Sequence, residues 1–322
     1  MNNAILEVRG LRKYFPVRQS MLAALLRRAP TYVKAVDGVS LHIDKGEALA
    51  LVGESGCGKT TIARALIGLE EPTSGEIFFQ GQALQKNISL KQLRRRAQMI
   101  FQDPYESLNP RATIFEIVAE PLVVHGMPLD PQKVKTALEE AGLRPAEDYF
   151  ARYPHELSGG QRQRAAIASA MALQPELLIA DEPVSMLDVS IRAEILNLLQ
   201  ELRQKRGVSI LFITHDLSTV AYFADRIAVM YLGCIVETGP ARDVLANPKH
   251  PYTKALISVI PVPNPRLRHD RIILHGETPN PIHLPSGCRF HPRCPLAQDA
   301  CKLQEPALQP IDGKHEAACL LL

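Results

Sequence analysis

Hydrophobic residues along the chain follow two periods. Residues 5–9, 39–43 and 47–52 read as short strands, and the last, EALALV, is an almost wholly apolar run that stops at Gly53, as an interior strand buried on both faces would. A helix is expected from about Lys59, where TTIARALIGL repeats apolar residues at helical spacing. Further helical patterns cover 89–98, 111–126, 130–142 and 159–173, and interior-strand patterns cover 176–180 (ELLIA) and 208–214 (VSILFIT). Two strands at 226–232 and 234–237 close the series. This alternation predicts an α/β fold around a parallel sheet, with a mainly helical excursion at about 103–163. Residues 16–32, apolar then basic and bracketed by Pro16 and Pro30, predict a short surface helix that either covers the domain or touches a partner or lipid headgroups.

Composition changes the picture near the end. Thirteen of the 25 prolines lie in residues 240–310, which places a boundary near 245–250 and divides the chain into domains 1–248 and 249–322, the second small and irregular. At 322 residues, 46% hydrophobic and 22% charged, the chain can bury a sizeable core, which excludes disordered, collagen-like and coiled-coil classes. A net charge of +3 gives no case for a nucleic-acid partner, and the basic run Lys91 to Arg96 reads as a solvated face. No apolar stretch approaches the ~18 to 20 residues needed to cross a bilayer, and MNNAILEVRG lacks the apolar region of a secretory signal, so a cytosolic protein is expected. Six cysteines are too few for a disulfide scaffold, and their clustering near the end asks for another explanation.

The strongest chemical signal is GESGCGKT, Gly53-Glu54-Ser55-Gly56-Cys57-Gly58-Lys59-Thr60, in a strand-loop-helix setting. Glycines allow backbone amides to curve around phosphate oxygens, and the following helix adds its positive end. Lys59 is suited to neutralise β- and γ-phosphates and the Thr60 hydroxyl to ligate Mg²⁺. Cys57, close to a helix N-terminus, is expected to favour its thiolate, so that alkylation inhibits and bound ATP protects. A second centre is Asp181-Glu182, two carboxylates at the C-terminal end of an apolar strand, where ligands gather in open α/β sheets. Asp181 is placed to hold Mg²⁺ and Glu182 to orient or deprotonate an attacking water.

Those two elements do not separate kinases, GTPases, helicases and transport ATPases. Leu157-Ser158-Gly159-Gly160-Gln161, followed by the helical run RQRAAIASAMAL, resembles the signature motif of ATP-binding cassette (ABC) ATPases. The resemblance implies an ABC-type P-loop NTPase with a helical subdomain, in which Ser158, Gly159, Gly160 and Gln161 cover ATP held by the opposite subunit. It also implies that Gln102 (in MIFQDP) is the Q-loop glutamine sensing Mg²⁺ or water, that Ser185-Met186-Leu187-Asp188 is the D-loop, and that His215 (in FITHD) is the switch histidine at the γ-phosphate. Met186 stands where a smaller residue is commoner. Thr61 and Asp188 join the expected nucleotide contacts, and Phe15, with Tyr14 as the alternative, is expected to stack on adenine.

Residues 101–110 (FQDPYESLNP), 250–256 (HPYTKAL) and GETPNPIHLPSGCRFHPRCP from 276 resemble the oligopeptide/dipeptide branch of ABC importers, in particular the second ATPase subunit. Implied partners are a distinct homologous ATPase forming a head-to-tail pair, two membrane permeases and an extracytoplasmic solute-binding protein, with the chain peripheral at the cytoplasmic membrane face. The solute is left open among peptides, nickel, glutathione and oligosaccharides, and a soluble ABC ATPase outside transport is the remaining alternative.

Cys288, Cys294, Cys301 and Cys319 offer four soft donors, suited to a four-iron four-sulfur cluster or to tetrahedral zinc, with unmetallated thiols the third possibility. Their spacing lacks the C-x₂-C knuckles of zinc ribbons and resembles the C-terminal pattern of peptide-importer ATPases, where an iron–sulfur cluster occurs in some members. A metal there is expected to be structural, because the proline-rich tail has little apolar surface with which to fix itself.

Overall fold

The computed structural model describes residues 3–17, 30–84, 86–260 and 271–322. Most of the surface helix expected in 16–32 falls on residues 18–29, outside the described residues. The chain divides into two compact units, one formed by residues 1–7, 42–48 and 78–214, the other by residues 8–41, 49–77 and 215–322.

In the first unit, strands Ala97–Ile100, Leu177–Asp181 and Ser209–Thr214 are parallel, with Leu177–Asp181 in the middle (Ala97 opposite Leu177, Ala180 opposite Phe212). Every residue of Leu177–Asp181 and of Ser209–Thr214 is buried, which is why their centres, LLIA and ILFI, are continuous apolar stretches rather than alternating ones. The helical pattern expected over 89–98 breaks at Ala97: the helix Leu90–Arg96 gives way to the strand Ala97–Ile100. Pairing with an interior strand outweighs the local helical period there, and Arg96 is fixed by an ion pair to Glu176 at 2.6 Å, just before the partner strand. Helices Ile114–Val124, Pro131–Glu140 and Gly159–Met171 pack together, each opening on a cap that the sequence supplies. Thr113 and Glu116 form a reciprocal capping box, and Asp130 caps a helix with Pro131 at its first position.

In the second unit, Leu49 to Val52 run parallel to Arg226–Tyr231, which turns at Leu232-Gly233 into the antiparallel strand Cys234–Pro240. Both turn residues have positive φ (42° and 81°), the backbone of a tight hairpin turn. The pairing is therefore mixed rather than wholly parallel. The C-terminal strand His315–Ala317 continues it, with Glu237 opposite Ala317, and Gln309–Asp312 pairs in turn with His315–Ala317.

The expectation that the C-terminal region has little apolar surface to fix it is corrected by its aromatics. Phe290 and Tyr252, each at most 1% exposed, share a core with Tyr231, Val229 and Val244. Phe290 meets Tyr231 edge-on at 5.2 Å and Tyr252 at 5.4 Å between ring centroids, the offset geometry aromatic pairs prefer. Among the described residues no helix is long and apolar enough to cross a membrane.

Candidate nucleotide site

The phosphate loop belongs to the second unit. It leaves the buried strand Ala48–Val52 and enters the helix Lys59–Leu66, whose first residue is the lysine itself. Gly58 precedes the helix at φ 108°, and a Cβ on it would lie 2.1 Å from the Ala35 carbonyl oxygen, so both its backbone and its surroundings demand glycine. Lys59 is 5% exposed and its Nζ donates to the carbonyls of Gly53 (2.7 Å) and Glu54 (3.0 Å), so the ammonium is held against the loop's own backbone. Thr60 and Thr61 are half-buried, whereas Ser55 and Gly56 are exposed at the loop's crest.

Cys57 does not behave as its position near a helix N-terminus suggested. It is 3% exposed, and burial pushes the thiol's pKa up although Lys59 opposes the shift. The expected thiolate is thereby corrected to a protonated thiol, because desolvation outweighs the neighbouring cation.

Glu54 is tied down by residues the sequence had not connected to it. Arg293 grips its carboxylate at two points, Nη1 to Oε2 at 2.9 Å and Nη2 to Oε1 at 3.1 Å, and the Thr278 hydroxyl donates to Oε2 at 2.6 Å. The Glu54 amide donates to the Tyr252 hydroxyl at 2.9 Å. Burial alone would raise the Glu54 pKa, yet the hydrogen bonds from Arg293 and Thr278 hold it below the usual carboxylate value.

In the first unit, Asp181 ends its strand 2% exposed and Glu182 follows in the left-handed region (φ 47°), a rare backbone for a side chain with a Cβ. The turn is pinned because the Glu182 amide donates to the Ile213 carbonyl (2.9 Å), and the Ser185 amide (3.2 Å) and hydroxyl (3.0 Å) donate to the Glu182 carbonyl. The exposed amide of Gln102 donates from Nε2 to Glu182 Oε2 at 3.2 Å, so two residues read from separate motifs meet.

Ser158 caps the helix Gly159–Met171 in a capping box: its Oγ accepts from the Gln161 amide at 3.3 Å, and Gln161 Oε1 accepts from the Ser158 amide at 2.9 Å. A Cβ on Gly160 would lie 2.8 Å from Ile191 Cγ2, which shows how closely this helix approaches Val189–Arg206. Asp188 is the N-cap residue of that second helix and is exposed, as is Met186.

His215, in the second unit, is exposed just beyond the strand Ser209–Thr214. Phe15 is half-buried with the Lys13 ammonium 4.8 Å from its ring centroid. Tyr14 is engaged otherwise: its hydroxyl donates to Asp37 Oδ1 at 2.5 Å, and burial together with that carboxylate pushes its pKa up to about 12.

The four C-terminal cysteines are all free thiols. Burial raises the pKa of Cys288 and of Cys294, and the charges of the neighbouring cysteines raise both further. The thiols are thus near enough to feel one another, but among the described residues no group of three or more His, Cys, Asp or Glu side chains is arranged to hold a metal ion. The expected cluster has no ready-made ligand set in this arrangement.

The family model described as ABC transporter matches residues 36–185, and that described as oligopeptide/dipeptide transporter, C-terminal region, matches residues 236–301. The chain is 48% identical to the oligopeptide transport ATP-binding protein AppF of Bacillus subtilis, over 98% of this chain and 97% of that protein. It is also 48% identical to the dipeptide transport ATP-binding protein DppF of Haemophilus influenzae, over 97% and 95%. Among solved structures, cbiO1 of Clostridium perfringens, part of the ABC transporter complex cbiONQ, superposes with a TM-score of 0.64 at 29% identity, covering 76% of this chain and 92% of that one. The ATP-binding cassette MJ0796, in a dimeric structure with ADP and Pi, gives a TM-score of 0.62 at 28% identity over 74% and 99%. With the phosphate loop, acidic strand end and signature helix in place, these likenesses establish that the chain belongs to the ABC transporter family of ATPases, among the transport ATP-binding proteins that carry the oligopeptide/dipeptide transporter C-terminal region.

Proposed function

We propose that this chain is the ATP-hydrolysing subunit of an importer of oligopeptides or dipeptides. The observation that carries the proposal is the hydrogen bond from Gln102 to Glu182, which sets a neutral amide on the carboxylate best suited to serve as the base. The relatives' names supply the substrate class: one is an oligopeptide and the other a dipeptide transport ATP-binding protein.

Each residue's part follows from its chemistry. Lys59 exchanges the carbonyls of Gly53 and Glu54 for the β- and γ-phosphates, while the amides of Gly56, Gly58, Thr60 and Thr61 cradle phosphate oxygens. The Thr60 hydroxyl, the Gln102 amide oxygen and the Asp181 carboxylate are hard oxygen donors, the type Mg²⁺ takes, so the residues fit that ion. When bound, Mg²⁺ neutralises charge on the transferring phosphoryl group. Glu182 accepts the proton of the attacking water, His215 steadies the γ-phosphate, and Phe15 offers a ring face to the base. Ser158, Gly159, Gly160 and Gln161, with Asp188, complete the site of the opposite subunit, a second and homologous ATPase. Catalysis is then mainly placement and charge stabilisation.

In this reading the pair drives two membrane permeases fed by a solute-binding protein, and the chain sits peripherally on the cytoplasmic membrane face without a nucleic-acid partner. A four-iron four-sulfur cluster on Cys288, Cys294, Cys301 and Cys319 belongs to the same reading as a structural element. It rests on soft donor chemistry and on the resemblance of the cysteine spacing, and requires the thiols to draw together. Anaerobic purification with iron and sulfide analysis tests it, and colourless protein holding neither removes it. The transport assignment is tested by purifying the complex through this chain: ATP turnover stimulated by peptide-loaded binding protein supports it, and turnover indifferent to every peptide tested overturns it.

A further inference from the structure

The segment from Cys288 to Cys294 carries two arginines, and both reach groups beside the nucleotide motifs of the same unit. Arg289 is 8% exposed and donates to the Leu232 carbonyl (2.7 Å), to Asp37 (2.8 Å) and to Glu305 (3.1 Å), and Asp37 in turn accepts from Tyr14, next to Phe15. Arg293, its side chain 10% exposed, holds Glu54 inside the phosphate loop through the two-point grip described above. Its Nη1 also lies 3.2 Å from the Thr278 hydroxyl, so Arg293, Thr278 and Glu54 form a closed triangle.

Charge makes this contact consequential. Between Gly53 and Thr60 the loop has one acidic side chain, Glu54, and one basic, Lys59, so by itself it is neutral. A loop that must receive a polyanion gains from surplus positive charge, and a free carboxylate within it would repel the incoming phosphates. Arg293 restores the surplus, and a guanidinium matched to both carboxylate oxygens also fixes where that carboxylate stands.

We propose that Arg293 is a positioning residue for the nucleotide, which neutralises Glu54 and anchors it to the C-terminal segment so that the phosphate loop stays receptive to the triphosphate. The proposal rests on the ATPase reading above. It also gives the cysteine-bearing segment a task at the phosphate loop: Arg293 immediately precedes Cys294, so the order of that segment bears directly on nucleotide affinity.

The test uses the purified complex and a fluorescent ATP analogue displaced by ATP in the presence of Mg²⁺. Arg293→Gln is expected to raise the Kd for ATP about tenfold while turnover at saturating ATP stays within about twofold. Arg293→Lys keeps the charge without the two-point grip and is expected to fall between Arg293→Gln and the parent. The decisive arm is Glu54→Gln combined with Arg293→Gln, which removes both charges and is expected to recover Kd to within about threefold of the parent. A merely structural role predicts the opposite, since the double variant would bind no better than Arg293→Gln. If Arg293→Gln does not fold, Thr278→Val removes a hydrogen bond to Glu54 without moving a charge and is expected to raise Kd about threefold. Parent-like affinity in Arg293→Gln, an unrescued double variant, or an unchanged Kd in Thr278→Val overturns the proposal. An unmodified complex that neither binds nor hydrolyses ATP strikes instead at the ATPase reading.

Discussion

Glu237 and His315 meet carboxylate to imidazole, Oε1 to Nε2 at 2.7 Å, although 78 residues separate them and both are buried. The same carboxylate accepts the backbone amides of Lys249 (2.7 Å) and His250 (2.9 Å), so one side chain ties the strand Cys234–Pro240 to the entry of the helix Pro251–Ser258. That helix is capped by His250 Nδ1, which accepts from the Tyr252 amide at 3.1 Å and must be unprotonated to do so.

The cap predicts acid sensitivity. Burial lowers the His250 pKa to about 4, with Lys254 adding to the shift. An unfolded histidine takes its proton near pH ~6.5, so between about 6.5 and about 4 the unfolded chain binds more protons than the folded one. Stability from this group is complete above pH ~6.5 and is lost as pH falls toward about 4, by an amount on the order of 3 kcal/mol. Denaturant midpoints measured from pH 7 to 4.5 should fall accordingly. His250→Asn, which can still cap, should flatten the slope; a slope identical in both proteins would assign the acid sensitivity elsewhere.

Phe290→Ala should destabilise the second unit by about 3 to 5 kcal/mol, because the ring is buried against Tyr231 and Tyr252 and cannot be replaced by water. Thermal melting reads this directly. A shift of a degree or less would mean that the C-terminal region is not anchored by this core.

Cys57 should react slowly with iodoacetamide in the folded protein, at least about tenfold slower than in urea, and equally slowly with or without nucleotide. The thiol is already buried and protonated, so ATP has little left to shield. Fast labelling that ATP suppresses would restore the thiolate that the sequence position alone suggested.

Legibility in the sequence followed distance along the chain. The phosphate loop, the Asp181-Glu182 strand end and the Ser158 to Gln161 helix start were readable because each packs its chemistry and its strand or helix context into about ten residues. The meeting of Gln102 with Glu182 was legible only through family likeness, since nothing local links positions 80 residues apart. Arg293 gives no signal of its role in the sequence, because its partner Glu54 is 239 residues away. Tyr252 and Phe290 give no core signal for a related reason: isolated aromatics without period 2 or 3.6 have no periodicity to read, and only the fold brings them together. The strands Ala4–Pro16 and Tyr32–Asp44 outran the strands predicted at 5–9 and 39–43, because their added residues mix buried apolar positions (Leu11, Val36) with exposed or half-exposed polar ones (Arg12, Lys13, Lys34, Asp37) and keep no regular alternation.

The central claim is that Glu182 serves as the base for a water attacking ATP held at Lys59. It is tested most directly by Glu182→Gln beside Lys59→Ala in the purified complex, following bound nucleotide and released phosphate together. Glu182→Gln should retain ATP at parent-like affinity while phosphate release falls by about 10² or more, and Lys59→Ala should lose the nucleotide itself. Phosphate release at the parent rate from Glu182→Gln would contradict the account.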